Sequence, residues 1–360
     1  MSDLIVEVSE ISSVEPHPNA DRLELATIKG WQTVVPRYTY KTGDIVVYVP
    51  VNACMPVELS DALGVTQYLS SRGRVKATRL RGEVSYGLIF RIDSLPAEMK
   101  GLVRDRWVGD DVAEVLGITK YEPPQQNWEK GVSIGCKEAH PLFHKYTNIN
   151  NIKSFPDILD SELVVITEKI HGTNSRLGLI RDDDGTMTFV AGSHNTQHIR
   201  ERGGLYWDPM TSDLEKVLET LMSRVGGSGA ASVIIYGEIY GPGIQDLTYG
   251  VTAPQWRAFD IAVNGAYLDF EQQQEFLAQG GMVKPGQLPA VPLLCDQPMP
   301  FTKERIADLT GGKTALDGGG LREGIVIKPV VERTHRKCGR VILKSISDEY
   351  MLRKDGTESK

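Results

Sequence analysis

The sequence predicts an α+β protein in which a small N-terminal β-barrel precedes a larger domain built on antiparallel sheets. Three observations predict it. Up to about Phe90, short apolar runs alternate with Gly and Pro punctuation, the pattern of a small all-β module. After Ser161 longer strand runs and a hairpin signal appear. Helical stretches are interspersed among these strands without the regular alternation of a parallel βαβ sheet. At 360 residues, 41% hydrophobic and 24% charged, the chain is long enough for two or three domains of about 100–200 residues each.

In the first segment, Ile45-Val46-Val47-Tyr48-Val49 reads as a strand ending at Pro50. The predicted barrel spans residues 1–95, and residues 96–154, turn-rich around Glu122–Asn127, form a junction. The larger domain is placed at 155–360. Its first buried strand is Leu163-Val164-Val165-Ile166; Arg176–Ile180 and Met187–Val190 then flank an Asp184-Gly185 hairpin signal. One helix begins at Ser212, where Ser212-x-x-Glu215 reads as a capping box and Leu214, Val217, Leu218, Leu221, Met222 and Val225 make one apolar stripe before Gly226-Gly227. A second begins near Asp269 and stops at Gly280.

Composition excludes several classes. No run approaches the roughly 18 apolar residues of a membrane span, and the N-terminus lacks a basic-then-apolar leader, so a soluble, cytoplasmic protein with no membrane partner is expected. Four cysteines lie scattered with no Cys-x-x-Cys pair, which disfavours a zinc knuckle or disulfide framework. His140-x-x-x-His144 and His194-x-x-x-His198 have helical metal spacing but no acidic or cysteine partner pattern. The formal net charge of -7 means that a polyanion must be held by local basic patches. Gly241-Pro242-Gly243 lacks the Lys-Ser/Thr of a phosphate loop and reads as a turn.

The chemistry concentrates elsewhere. In Glu168-Lys169-Ile170-His171-Gly172-Thr173-Asn174 a buried strand runs into a glycine turn, which presents the Lys169 amine in a cleft. A nucleophilic lysine needs its neutral form, whereas a lysine in water titrates near about 10.4, so nearby cations or burial are required. Two later strands, Arg322–Lys328 and Arg340–Lys344, each deliver a lysine out of an apolar run. Between Lys169 and these strands, Val233–Gly241 and Trp256–Val263 carry carboxylates within apolar sequence; Glu238, Asp260 and Glu323 are candidates to collect a divalent ion.

In order and wording these motifs resemble the covalent nucleotidyltransferase superfamily of RNA ligases, DNA ligases and capping enzymes. Its signature Lys-x-(Asp/His)-Gly is Lys169-Ile170-His171-Gly172, followed by Tyr236–Gly241, Arg257–Asp260, Glu323–Lys328 and Ile342–Lys344, so that the resemblance spans roughly Phe155 to Tyr350. A lone lysine beside a glycine is ordinarily structural; five ordered motifs favour catalysis. His171 with Thr173-Asn174 resembles the RNA ligase version. With only a short stretch after Lys344, the C-terminal barrel of the other branches is not expected, and Gly241–Gly250 and Lys344–Tyr350 resemble the Deinococcus-type RNA ligase lineage, which carries its barrel at the N-terminus.

The resemblance implies an ATP-dependent RNA ligase with a ligase adenylyltransferase domain, joining 3′-OH and 5′-phosphate ends, in RNA or an RNA-containing duplex, through lysyl-AMP. Lys169 would attack the α-phosphate, Glu238 and Glu323 would organise Mg²⁺ or Mn²⁺, and Lys328 and Lys344 would hold phosphate oxygens. Glu168, Ile170, His171, Asn174, Arg176 and Phe259 would surround ATP, with Phe259 stacking on adenine. Two departures stand out. Ser193-His194 replaces the usual serine and cation, and Ile342 stands where many ligases carry a first lysine.

The N-terminal segments Glu15–Glu24 and Lys76–Gly87 resemble the tRNA-binding OB module appended to synthetases, whose barrel binds nucleic acid on one face. Alternation in Arg72-Gly73-Arg74-Val75-Lys76 would place three cations on one strand face; with Arg79 and Arg81 they are the expected RNA contacts, and Trp31, Tyr38 and Tyr40 are candidate stacking surfaces. Solvated charged strands are common, so these cations also fit a plain edge. No protein partner is inferable. The rivals are a DNA ligase or capping-type guanylyltransferase, separated by nucleotide choice and strand chemistry, and a non-catalytic RNA-binding protein, which predicts damaged motifs that this sequence does not show.

Overall fold

The computed structural model describes residues 3–121, 136–200, 204–224, 229–278, 284 and 286–353. Two compact units result. One holds residues 3–121, Asn151–Ile158 and 351–353; the other holds residues 136–150 and Leu159–Tyr350.

The N-terminal unit is built from β1 (Glu7–Glu10), β2 (Ser13–Pro16), β3 (Leu23–Ile28), β4 (Trp31–Pro36), β5 (Ile45–Val49) and β6 (Leu88–Phe90), paired antiparallel in the orders β1-β5-β6 and β2-β3-β4. The unbroken apolar run of β5 has a physical reason. Val47 and Val49 enter one core cluster while Val46 and Tyr48 enter another, so the strand is buried on both faces. Helix α1 (Ala97–Val103) and the irregular chain after it complete the first cluster with Val103, Val112, Leu116 and Ile118. The segment expected as a junction is thus divided: residues to Tyr121 fold with the N-terminal unit and Phe143 and Tyr146 with the larger one. One seven-residue helix followed by loops carries no periodicity for a sequence reading to detect. The expected turn Glu122–Asn127 lies outside the described residues.

The expected basic strand face is not formed. Ser71–Gly73 is a 3-10 turn with Arg72 at φ 63°, which breaks the alternation. Arg74 is buried, its guanidinium donating to Asn52 Oδ1 at 2.7 and 3.0 Å and lying 3.9 Å over the Tyr121 ring. Lys76 is half-buried; Arg72, Arg79 and Arg81 are exposed, the last two on the hairpin Thr78–Leu80/Glu83–Ser85 and its turn. Of the candidate stacking rings, Trp31 packs against Tyr48 and Tyr86 beneath Lys153, and Tyr40 donates to Ile89 O beneath Arg91. Tyr38 is the exposed one, at 83%.

The larger unit contains β7 (Leu163–Lys169), β8 (Thr173–Arg181), β9 (Met187–Ser193), α2 (Ser212–Arg224), β10 (Ser232–Tyr240), β11 (Gln255–Val263), α3 (Lys303–Thr310), β12 (Gly324–Pro329) and β13 (Leu343–Ile346). Strands β9-β8-β10-β11 form the centre of one antiparallel sheet and β13-β12-β7 that of a second. Behind the first sheet, α2 buries its predicted stripe from Leu214 to Met222 against Leu177, Leu179, Val233, Ile235 and Ile261, while the predicted end at Val225 and Gly226-Gly227 lies outside the described residues. Its cap is Thr211, whose Oγ1 accepts from Leu214 N, rather than Ser212; Glu215 instead reaches Arg200 at 2.6 Å. The second predicted helix is short, Phe270–Gln274, capped by Asp269, and the chain is already strand at Leu277–Ala278; Gly280 lies outside the described residues.

The other faces of the two sheets meet each other: Ile180, Val190, Ile234, Tyr236 and Ala262 of the first share a cluster with Val326 of the second and with Ile342, just before β13. A bulge shapes this interface. Tyr236 pairs with Asp260 but Gly237 with Ala258, leaving Phe259 as the extra residue. Ala258 therefore packs on the α2 side, while Phe259, Asp260 and Ala262 turn inward. Two motif glycines have no room for a side chain: a Cβ at Gly172 would stand 2.2 Å from Ile239 O, and one at Gly324 2.1 Å from Ser345 O.

Arg74 and Arg79 make opposite predictions. Arg74→Ala removes a buried guanidinium with its bonds and ring contact, and it is expected to lower the melting temperature of the N-terminal unit in calorimetry; Arg79→Ala, being exposed, is expected to leave it unchanged.

Candidate active site

Strand register builds the site. Lys169 pairs with Gly324 and Gly324 with Ile346; Thr167 pairs with Val326 and Val326 with Lys344; Val165 pairs with Lys328. Because side chains alternate, Lys169, Lys328 and Lys344 all project from one face of the second sheet. That face is the one turned to the first sheet. Glu168, one residue out of phase, projects from the other: its carboxylate takes hydrogen bonds from Thr314 Oγ1 at 2.5 Å and Ala315 N at 2.6 Å, with Arg322 at 3.7 Å. Burial nevertheless holds the Glu168 carboxyl above its ordinary range.

Glu323, just before Gly324, meets the nucleophile candidate directly: Lys169 Nζ lies 2.8 Å from Glu323 Oε1. The Glu323 side chain is nearly dry, at 7% exposure, while the Lys169 side chain keeps 25%. His171 follows. Its backbone N–H donates to Tyr249 OH at 2.7 Å, Nε2 lies 2.8 Å from Asp246 Oδ1, and Nδ1 lies 2.9 Å from Tyr350 OH and 3.8 Å from Glu323 Oε2.

From the facing sheet comes Glu238, paired in register with Asn174 and hydrogen-bonded by the Gly172 backbone. Burial pushes its carboxyl up to about 8; Lys169 pulls it down and Glu323 pushes it further up. Two carboxyl groups thus share a poorly solvated space beside the Lys169 amine. Glu323 Oε2 and Asn174 Oδ1 are buried and accept no hydrogen bond. Among the described residues no group of three or more His, Cys, Asp or Glu side chains is placed to hold a metal unaided. Glu238 and Glu323 fit a divalent ion that takes its remaining oxygens from water and substrate phosphates, the usual manner of Mg²⁺.

Asp260, the third carboxylate considered, is otherwise committed. Lys328 Nζ lies 3.1 Å from its Oδ1 and Arg340 2.8 Å from its Oδ2, while Tyr146 and Gln273 donate to it at 2.7 Å each. Burial pushes the Asp260 carboxyl up, but Arg340 and Lys328 outweigh it and hold it below the ordinary range. With Glu332, which also pairs with Arg340, two anions and two cations close a neutral buried cluster. The structure therefore places Lys328 on Asp260 and brings Lys169, Glu323, Glu238 and His171 together. Lys344 is half-buried on the shared face.

Ile170 and Phe259 meet in one apolar cluster with Tyr240, Tyr249, Val291 and Leu316, and the Phe259 ring stands edge-on to Tyr146 at 4.9 Å. Arg176 is fully buried; it donates to Ser193 O at 2.7 Å and Phe143 O at 2.5 Å, lies over the Phe143 ring, and burial pulls its pKa down to about 10. Its bonds tie β8 to its neighbours. Sequence reasoning missed Asp246, Tyr249 and Tyr350 around His171, and Thr173 with Tyr206 beside Glu238. Asp246, Tyr249 and Tyr350 do lie in the two lineage-like segments, yet no spacing reveals that these segments converge.

Two facing antiparallel sheets, with a lysine at a strand end held by one carboxylate and faced by another, are the architecture of a nucleotidyltransferase. A family model described as RNA ligase matches residues 162–346, more than half of the chain, and the protein belongs to that family. An OB-fold domain model matches residues 5–92. Solved structures agree in fold: RNA ligase from Naegleria gruberi with PPi is 24% identical over 97% of this chain and 98% of its own, with a TM-score of 0.73. An apo variant of that ligase gives 24%, 98% and 98%, with a TM-score of 0.75, and a variant with ATP and Mn gives 23%, 97% and 98%, with 0.73. No curated protein matches the chain in sequence.

The raised Glu238 carboxyl predicts a pH signature. Between roughly pH 4.5 and 8 the unfolded state releases this proton while the folded state keeps it, so the folded state loses stability as pH rises through that window. Glu238→Gln removes the titration. In thermal denaturation without metal, the variant's advantage over the parent is expected to widen from about pH 5 to about pH 8 and to level off above.

Proposed function

We propose that the protein is an ATP- and divalent-metal-dependent RNA ligase that seals 3′-OH and 5′-phosphate ends, at nicks in RNA-containing duplexes, through a lysyl-AMP intermediate. The observation that carries the reading is the Lys169–Glu323 pair, 2.8 Å apart at the end of two paired strands, with Glu238 facing it from the other sheet. Membership in the RNA ligase family supplies the substrate class.

In the first step the neutral Lys169 amine attacks the α-phosphorus of ATP; an N–P bond forms, the bond to the β-phosphate oxygen breaks, pyrophosphate leaves, and the nitrogen sheds one proton to solvent. Glu323 orients the amine for this attack. Lys344, on the same sheet face, offers positive charge to phosphate oxygens, and the apolar cluster of Ile170 and Phe259 offers a surface to the adenine ring. Lys328, on that same face and paired with Asp260, is a second cation for the phosphate oxygens. A divalent ion held by Glu238 and Glu323 would neutralise charge on the phosphates. In the second step a 5′-phosphate oxygen displaces Lys169 from the adenylate. In the third, a 3′-hydroxyl attacks the activated 5′-phosphorus and AMP departs. The OB domain grips the RNA-containing strand, with exposed Arg72, Arg79 and Arg81 as contacts and Tyr38 as the available stacking ring.

Incubation with ATP or GTP labelled at the α-phosphate, with Mg²⁺, followed by denaturing electrophoresis tests the reading. Acid-labile label is expected from ATP with the parent protein and none with Lys169→Ala. Label from GTP instead would indicate a capping-type enzyme, and no label from either, in folded protein free of bound AMP, would leave the OB domain as the working part.

A further inference from the structure

Two segments of the larger unit end on the same imidazole. The loop after β10 sends Asp246 to His171 Nε2 at 2.8 Å, Tyr249 OH to the His171 backbone N–H, and Gln245 Nε2 toward Gly172 O at 3.5 Å. The short helix Asp348–Met351 sends Tyr350 OH to His171 Nδ1 at 2.9 Å, with the Tyr350 ring edge-on to the imidazole at 5.4 Å. Tyr350 is itself buried, at 1% exposure, and its helix is tied back to the site because Ser347 N donates to Glu323 O at 2.9 Å.

We propose that Asp246 and Tyr350 are positioning residues that clamp the His171 ring from its two nitrogens and thereby keep Glu323 on Lys169. This rests on the nucleotidyltransfer reading above. A carboxylate at Nε2 calls for a proton on that nitrogen, which leaves Nδ1 as the acceptor for the Tyr350 hydroxyl. Held so, the ring presents a lone pair rather than an N–H toward Glu323 Oε2, 3.8 Å away. Glu323 is then free to bind Lys169 through Oε1 and keep Oε2 for a cation. Released from either side, the ring can turn and offer its N–H to Glu323 Oε2, competing with the amine for the same carboxylate. The cost appears in attack on the α-phosphate, not in nucleotide affinity, since neither clamp residue belongs to the apolar Ile170–Phe259 cluster.

The test is single-turnover AMP transfer to Lys169 across ATP concentrations, alongside thermal denaturation, for Tyr350→Phe, Asp246→Asn and Asp246→Ala. Tyr350→Phe keeps the ring packing. It is expected to slow transfer at saturating ATP by about tenfold or more, as loss of an imidazole's orienting partner does, with the half-saturating ATP concentration within about twofold and the melting temperature unchanged. Asp246→Asn, which retains an oxygen acceptor for Nε2–H, is expected to keep most of the rate that Asp246→Ala loses. Parent-like rates in Tyr350→Phe or Asp246→Ala would overturn the proposal. So would losses that track melting temperature or ATP affinity, or equal losses in Asp246→Asn and Asp246→Ala. Absence of label in the parent would instead sink the nucleotidyltransfer reading itself.

Discussion

Everything at the site hangs on one lysine amine held against one carboxylate in a poorly hydrated space between two sheets. Lys169 and Glu323 meet because β7 and β12 are paired with Lys169 opposite Gly324, and that pairing needs a glycine: a side chain at 324 would run into the backbone of β13. A slip of one residue would send Lys169 to the opposite face, where Glu168 lies among Thr314, Ala315 and Arg322. Register, glycine and ion pair are therefore one constraint seen at three levels.

Charge balance extends that constraint through the interior. Asp260, Lys328, Arg340 and Glu332 neutralise one another a short way from the site, and the bulge at Phe259 is what turns Asp260 inward to complete the cluster. Around Lys169 the balance is left open. Glu238 and Glu323 crowd the Lys169 amine, one carboxylate oxygen accepts no hydrogen bond, and burial holds the Glu238 proton up to about 8. Such an imbalance destabilises a resting protein and suits a site whose substrate brings phosphates and a cation together.

Much of this was legible in the sequence, for identifiable reasons. The α2 stripe follows a strict period, Asp184-Gly185 carries the chemistry of a tight turn, Leu163–Ile166 is an unbroken apolar run, and the motif order singled out Lys169, Glu238 and Glu323, which the fold brings together. What was not legible depends on long-range placement. A bulge leaves no mark in Trp-Arg-Ala-Phe-Asp, so Asp260 read as a metal candidate although it is a counter-ion. Arg72, Arg74 and Lys76 alternate like a strand, but a left-handed residue at Arg72 converts the run to a turn and buries Arg74 over Tyr121. Asp246 and Tyr350 stand 75 and 179 positions from His171, separations that no local pattern spans.

If the Lys169 amine carries the nucleotide, the adduct itself can be found. Peptide mass spectrometry of the protein after reaction with ATP and Mg²⁺, under conditions that preserve phosphoramidates, should show a single AMP adduct on the peptide containing Lys169, with fragmentation placing it on that side chain. An adduct on Lys328, Lys344 or a histidine, with Lys169 unmodified, would contradict this assignment of the nucleophile.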